Sequence, residues 1–491
     1  MSAPHFIGID IGTSSVKALL IDDAGRAVAS HSVPLTVERP RDGWSEQAPE
    51  AWWQATVTAI DALANGHRQA VAATTGIGLS GQMHGAVLLD EAGTVLRPAI
   101  LWNDGRSAAE CAELEERAPA LHRIAGNAAM PGFTAPKLLW VARHAPETFA
   151  RTATVLLPKD YVRFRLSGEL ATDLSDASGT LWLDVGERRW SPELIAATGL
   201  PPTAMPRVVE GTEPTGTLAP EFARRWGMAR APVIAGGAGD NAASAIGLGA
   251  IQPGDAFLSL GTSGVLWITT ERFQPDPSRG VHAFCHAVPG RWHQMGVILS
   301  ATAALGWAGR ALGMGSEAEL LARIDRRRLG RNPVLFAPYL SGERTPHNDP
   351  AVRAGFTGLG HATGPEDLAL AVVEGVAFAF ADCLSALTAA GSPIDVATVV
   401  GGGSRSALWV EVLANVLDLP LHRVEGGETG AALGAARLGA IAAGQGDVVT
   451  IAHPPALAGS VDPDADLVRR YRERHGRFRH LYAHLKEFAE P

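Results

Sequence analysis

Cysteine is scarce in this 491-residue chain: Cys111, Cys285 and Cys383 are the only three, widely separated and odd in number. That excludes a disulfide framework and points to a reducing compartment, so a cytoplasmic location is expected. Long hydrophobic runs are missing too, and no stretch of about 18 residues reads as a membrane span. Met1-Ser2-Ala3-Pro4-His5-Phe6 lacks the cationic-then-apolar pattern of a secretory leader. Positive charge is short: 42 Lys and Arg stand against 51 Asp and Glu, the formal net charge is −9, and no basic block offsets it. Neither nucleic acid nor membrane is therefore expected as a partner. Gly (55) and Pro (32) are plentiful but form no low-complexity tract. The length suffices for about two or three ordinary domains.

What the chain does have is an internal echo. Ile7-Gly8-Ile9-Asp10-Ile11-Gly12-Thr13-Ser14-Ser15-Val16-Lys17 returns half a chain later as Phe257-Leu258-Ser259-Leu260-Gly261-Thr262-Ser263-Gly264-Val265. Each copy reads as a hairpin that turns on Gly-Thr-Ser. Aligned on Gly12 and Gly261, Asp10 falls opposite Ser259. The spacing is too long for a solenoid repeat. It implies two domains on one plan, residues 1–247 and 248–491, divided in the Gly/Pro-rich stretch 246–254. Elsewhere strand and helix patterns alternate. A helix over 49–64 places Trp53, Val57, Ile60 and Ala64 on one face, with Gly66 as its stop. Strands are expected at 71–79, 86–90 and 396–400. A helix then runs through Leu408, Val412 and Asn415 to Pro420. The expected fold class is α/β, with two lobes and a cleft between them.

A Gly-Thr-Ser turn can aim successive N–H groups into a concavity while its hydroxyls add donors, so two facing turns could hold the phosphates of one nucleotide. Ordinary turn chemistry is the alternative. Asp10, beside the first turn, suits Mg²⁺ held directly or through water, or else caps its own turn. Asp240 follows the small-residue loop Gly236-Gly237-Ala238-Gly239 and precedes a helix. It either caps that helix or takes the proton of an attacking hydroxyl. Gly81-Gln82-Met83-His84-Gly85 offers an amide, a thioether and an imidazole to a polyhydroxylated ligand, or is a plain loop. Gly401-Gly402-Gly403 resembles the close backbone approach to a base or ribose, but no Gly-Lys-Ser/Thr follows and it is not a Walker A loop. His282, Cys285, His286 and His293 lack paired cysteines, so structural zinc is not expected. The loop Ser341-Gly342-Glu343-Arg344-Thr345-Pro346-His347 either lines the cleft or is a salt-bridged surface loop.

Longer motifs then carry a family resemblance. Gly132-Phe133-Thr134-Ala135-Pro136-Lys137-Leu138-Leu139-Trp140-Val141-Ala142-Arg143-His144 fits one signature of the FGGY family of carbohydrate kinases. A second is matched from Ala354 through Phe356, Gly358, Leu359, Asp367 and Leu368 to Glu374. Trp44-Ser45-Glu46-Gln47, Gly81–Gly85, Leu101-Trp102-Asn103-Asp104-Gly105-Arg106 and Ser341–His347 resemble the xylulokinase branch, and the resemblance runs essentially end to end. It implies an actin-like (ribonuclease H-like) ATPase fold with the active site between the domains. It also implies ATP and Mg²⁺ as cofactors, and phosphorylation of D-xylulose at C5 to feed pentose metabolism. By the same resemblance Asp240 is the general base and Asp10 positions Mg²⁺ and phosphates. Met83, His84, Trp102, Asp240 and Asn241 meet the sugar. Gly12, Thr13, Ser14, Lys17, Gly261, Thr262, Gly402, Gly403 and Ser406 meet the nucleotide. One more small residue precedes Asp240 than is usual in close relatives, which implies a slightly longer loop. A homodimer is compatible with all of this. Another sugar or alditol (ribulose, arabitol, glycerol) is the alternative substrate, and a partner-regulated actin-like ATPase is the alternative class.

Overall fold

A computed structural model describes residues 3–313, 316–427 and 430–488. Two seven-stranded sheets form its frame. In the first, the path runs Ala27–Pro34, Ser15–Ile21, His5–Ile11, Thr74–Gly81, Val233–Ala235, Pro214–Thr217, and Ala238–Gly239 pairs beside Thr74–Gly81. In the second it runs Trp292–Ile298, Gly264–Thr270, Ala256–Leu260, Ala397–Val400, Leu421–Val424, Leu457–Val461, with His282–Cys285 added at the outer edge. Along both paths the pairings are antiparallel, antiparallel, parallel, parallel, antiparallel. The repeated hairpins thus open two copies of one sheet plan.

The central strands are buried almost throughout rather than alternately, as expected of strands covered on both faces. Pro49–Gly66 is a helix with Pro at its first turn, and it buries Trp52, Trp53, Ala55, Ala59, Ile60 and Leu63. Val57 and Ala64 are only half-buried, so the apolar face is rotated from the one expected. The strand expected over 71–79 starts later, at Thr74, because Val71 closes a short helix, Arg68–Ala72, and packs inward from there. Pro365–Ala389 is long and apolar enough to cross a membrane, with a mean hydropathy of 1.8, but 83% of that window is buried in the protein. No run of that length was expected, and this one contains Glu374 and Asp382. Glu374 meets Arg474 at 2.6 Å and Asp382 meets His475 at 2.8 Å, so both carboxylates are paired inside the core.

The two sheets are joined by a pair of helices, Asp240–Leu248 and Gly430–Ala442. The second of these comes from the C-terminal half yet lies on the first sheet. Glycine makes the fit possible: a Cβ at Gly78 would stand 1.8 Å from the Ala435 carbonyl oxygen, and one at Gly434 would stand 1.7 Å from that of Ala243. Backbone rests on backbone there. The seam places the ends of both hairpins on either side of one cleft.

Candidate active site

The first turn is closed by Gly12 N–H donating to Ser15 C=O at 3.0 Å. Its Thr13 hydroxyl donates to Gln82 Oε1 at 2.8 Å and accepts from the Trp102 indole at 3.0 Å. Gln82 also donates to Gln47 Oε1, which the Trp52 indole shares, and Gln47 reaches back to the Thr13 carbonyl at 2.8 Å. Trp102 was expected on the sugar, and its N–H is committed to the Thr13 hydroxyl of the first turn. Ser14 is exposed at the tip of the turn.

Asp10 is in register with Lys17 on one side and Ser80 on the other, and Ser80 Oγ donates to it at 3.1 Å. Burial pushes the Asp10 carboxyl upward against the pull of Ser80 and Lys17. Asp240 is the first residue of its helix, and Gly239 is the cap; its Oδ1 accepts from the Asn241 N–H at 2.7 Å and the Asn241 amide at 2.9 Å. Burial, then the charge of Asp10, lift Asp240 to about 7. Two mutually repelling carboxylates thus stand beside the Gly12–Ser15 turn. Among the described residues no group of three or more His, Cys, Asp or Glu side chains is placed to hold a metal ion.

The loop before Asp240 is braced from behind by a buried charge cluster. Lys159 Nζ lies 2.6 Å from Asp160, 2.8 Å from Asp173 and 3.0 Å from Asp176, with all four side chains fully buried. Arg163 bonds Asp160 and the carbonyls of Ala171 and Gly236. Asp173 caps the short helix Leu174–Ala177 and accepts from Ser175 Oγ, which in turn accepts the Gly239 N–H at 3.2 Å. The small residues of this loop therefore have partners at both ends, and Gly237 takes a left-handed φ of 78°.

Met83 sits directly against that loop, and the next residue, His84, against Gly179. A Cβ at Gly239 would stand 2.9 Å from Met83 Cγ, so glycine leaves room for the thioether. His84 adopts φ 69°, a conformation that side chains rarely take. It is held there by Lys137 Nζ and Thr134 Oγ1, which donate to its carbonyl at 2.9 and 3.1 Å. Its Nδ1 is 2.7 Å from the Gly179 carbonyl, which can only accept, so Nδ1 carries the proton and Nε2 is left as an acceptor. Burial, then Lys137, pushes His84 down to about 3, so the ring is neutral. Burial brings Lys137 down to about 7. The anchoring by Lys137 and Thr134 was missed in the sequence; its only signal was their place in the 132–144 motif.

Across the cleft, the second turn is held by backbone alone: Thr302 N–H donates to Gly261 C=O, and Ala301 N–H to Thr262 C=O, both at 2.9 Å. The Thr262 side chain is exposed. Asp10, Lys17, Ser244, Ser259, Gly401 and Gly427 share the wall of a cavity of about 200 Å³, so the two echo positions Asp10 and Ser259 face one space. A second cavity, of about 310 Å³, continues from Gly401 and Gly427 past Gly402, Ser404, Arg405 and Arg423. Gly403 is buried against Leu260, and a Cβ there would stand 2.5 Å from that side chain. Ser406 accepts from the Trp409 N–H and caps the helix Ala407–Leu417 instead of facing the cavity wall described. Another groove, of about 860 Å³ between Pro49, Leu96 and Phe164, holds none of these residues.

The segment 341–347 is no surface loop. Glu343 and Thr345 are buried, and Thr345 exchanges hydrogen bonds with Val297 of the second sheet. His282, Cys285, His286 and His293 are all buried, three of them on the two outermost strands at one edge of the second sheet, without a metal-like grouping among the described residues.

Residues 5–247 match the N-terminal domain of the FGGY family of carbohydrate kinases, and residues 256–443 match its C-terminal domain. The chain is 50% identical to the xylulose kinase of Escherichia coli (strain K12) over 98% of its own length and 99% of the relative's. It is 35% identical to that of Bacillus subtilis (strain 168), over 98% and 97%. Among solved structures, one described as a xyloylose kinase from Brucella ovis superposes with a TM-score of 0.95 at 51% identity, covering 99% of this chain and all of that one. Plasmodium falciparum glycerol kinase with ADP shares the fold at 19% identity, with a TM-score of 0.88 over 98% of each chain.

Proposed function

Because this chain belongs to the FGGY family of carbohydrate kinases, we infer that it transfers the γ-phosphoryl group of ATP to the C5 hydroxyl of D-xylulose. The observation that supports this reading best is the convergence of Asp10, Asp240 and the Met83-His84 loop beside a cavity walled by both hairpins. Asp240 accepts the hydroxyl proton as the sugar oxygen bonds to the γ-phosphorus. The bond from that phosphorus to the β,γ-bridging oxygen breaks, ADP leaves, and Asp240 returns its proton to solvent. A carboxyl raised to about 7 is poised for this, since it is a stronger base than an exposed aspartate and is still ionised in part at neutral pH.

Mg²⁺, which accompanies ATP, would be held on the Asp10 side and would neutralise phosphate charge there. Lys17 and the Gly12–Ser14 and Gly261–Ser263 turns face the phosphates, and Gly402 and Gly403 the adenosine. Neutral His84 accepts a sugar hydroxyl at Nε2, Met83 covers the apolar face of the carbon chain, and Asn241 fixes the Asp240 carboxylate. Trp102 acts through Thr13, which ties occupancy of the sugar loop to the phosphate turn. We place the division between the two domains at residues 247 and 248.

The test is ADP release with Mg·ATP in the presence of D-xylulose, D-ribulose, L-ribulose, D-arabitol, glycerol or no sugar. Strongest stimulation by D-xylulose is expected. Stronger stimulation by another member replaces the sugar, and none by any of them, in folded protein that binds ADP, replaces the reaction.

A further inference from the structure

The segment 341–347 is fixed on both sides of one side chain that has nothing to bind. Thr345 N–H donates to the Val297 carbonyl at 3.0 Å, its hydroxyl donates to Gly280 C=O at 2.7 Å, and it accepts the Val297 N–H at 3.0 Å. Glu343 Oε1 accepts the N–H groups of Leu299 and Arg344 at 3.0 and 2.8 Å. The backbone at Arg344 is thereby tied to the second sheet. Its guanidinium makes no hydrogen bond or ion pair with any described residue. Burial holds the neighbouring Glu343 carboxyl up at about 8, so at neutral pH it is not a full counter-charge.

The side chain leaves its own half and ends in the first one. Its Nη2 lies 3.8 Å from where a Cβ of Gly132 would stand, and that Cβ would itself be 2.4 Å from the Trp102 carbonyl. Glycine at 132 lets the Trp102 carbonyl come close, and the guanidinium ends beside that contact. The guanidinium is close enough to His84 and His282 to disfavour protonation of both. Around it, Phe133 packs edge-on against His84 and against His282, and the His282 ring is fixed by Asn127 at 2.9 Å. Arg344 is half-buried, and a guanidinium partly withdrawn from water without a protein acceptor is best satisfied by a ligand that restores its hydrogen bonds.

We propose that Arg344 is a substrate-binding and specificity-determining residue that reaches across the cleft to hold the carbonyl end of an open-chain ketose. The proposal rests on the reading of the sugar site given above and adds to it the recognition of C2. A guanidinium can only donate. Of the oxygens on such a sugar, only the carbonyl can only accept, so it alone is matched without a wasted hydroxyl proton. His84 Nε2, an acceptor, takes an adjacent hydroxyl. The second domain then touches the sugar itself and not only the nucleotide, so a bound ketose favours the closed lobes.

The experiment measures kcat/KM of the parent, Arg344→Met, Arg344→Gln and Arg344→Lys with D-xylulose and with D-arabitol and xylitol, the two alditols that differ from it only in a reduced C2. Melting temperature and ADP binding are followed for each. Arg344→Met and Arg344→Gln are expected to lose roughly 10- to 100-fold on the ketose and much less on the alditols, so that the preference for the carbonyl collapses. Arg344→Lys should recover part of it. An equal loss on ketose and alditols, or no loss in a variant that melts and binds ADP like the parent, overturns the proposal. Should the parent itself prefer another ketose, the assignment of D-xylulose fails, and that ketose with its own alditols tests Arg344 in the same way.

Discussion

The two hairpins have the same sheet plan, the same turn sequence and different neighbours. In the first, Asp10 stands between Lys17 and Ser80. In the second, the matching Ser259 stands between Val265 and Val400. The first turn is tied by the Thr13, Gln82 and Trp102 side chains to the loop Gly81–Gly85, the second by main-chain bonds to the start of the helix Thr302–Ala311. A duplicated frame has thus kept a Gly-Thr-Ser turn in both halves and placed the buried aspartate in one. The difference lies in three register positions, which is little to change in a strand and enough to separate a reacting surface from a cradle.

Substitutions can push this comparison until it fails. The largest effect is expected from Asp240→Asn, which keeps the hydrogen-bonding shape and removes the base: kcat should fall by about 10³, with sugar binding by calorimetry retained. Near-parent turnover would take the base role from Asp240. Next comes the contrast between Thr13→Val and Thr262→Val. The first should raise the KM for sugar and for ATP together, by about tenfold, because it uncouples Gln82 and Trp102 from the turn. The second should raise the KM for ATP alone, by about threefold. Equal effects on sugar KM would mean the two turns are not specialised.

Ser175→Ala removes the acceptor of the Gly239 N–H and should lower kcat by about fivefold, without changing the KM for ATP. A change confined to melting temperature would reduce that contact to packing. The smallest signal is in stability. Asp240 binds its proton more tightly folded, at about 7, than at the ordinary 3.8, so its contribution is complete below 3.8 and is lost as pH rises through 7. Asp240→Asn should therefore raise the melting temperature at pH 8 and leave it unchanged at pH 3.5. The parent's kcat/KM should decline on the acid side with a midpoint near 7. A midpoint near 4 would mean the carboxyl is solvated like any surface aspartate.

Much of the frame was legible because it is local. An apolar strand, Gly-Thr-Ser and a second apolar strand make a hairpin from adjacent residues, and the repeat then implied two sheets. Asp10 and Asp240 could be singled out because one stands near a strand end, two residues before Gly12, and the other directly follows a strand and Gly239. The strand start at Thr74 was not legible, because Val71 is buried equally well from a helix. The contacts made by Gln47 and Trp102, and the reach of Arg344, depend on residues far along the chain, and periodicity carries no information about those. Arg344 is the plainest case: within its loop it has every mark of a solvated turn residue, and only its end beside Gly132 shows where it goes.

The seam of glycines also bears on how the protein is made. The face of the first sheet at Gly8, Gly76 and Gly78 is covered by Gly430–Ala442, which a ribosome delivers only when most of the chain has already emerged. Until then the nascent N-terminal half carries an open groove of bare backbone along its central strands. Its completion waits on a helix encoded near the other end of the gene, and the two halves mature together.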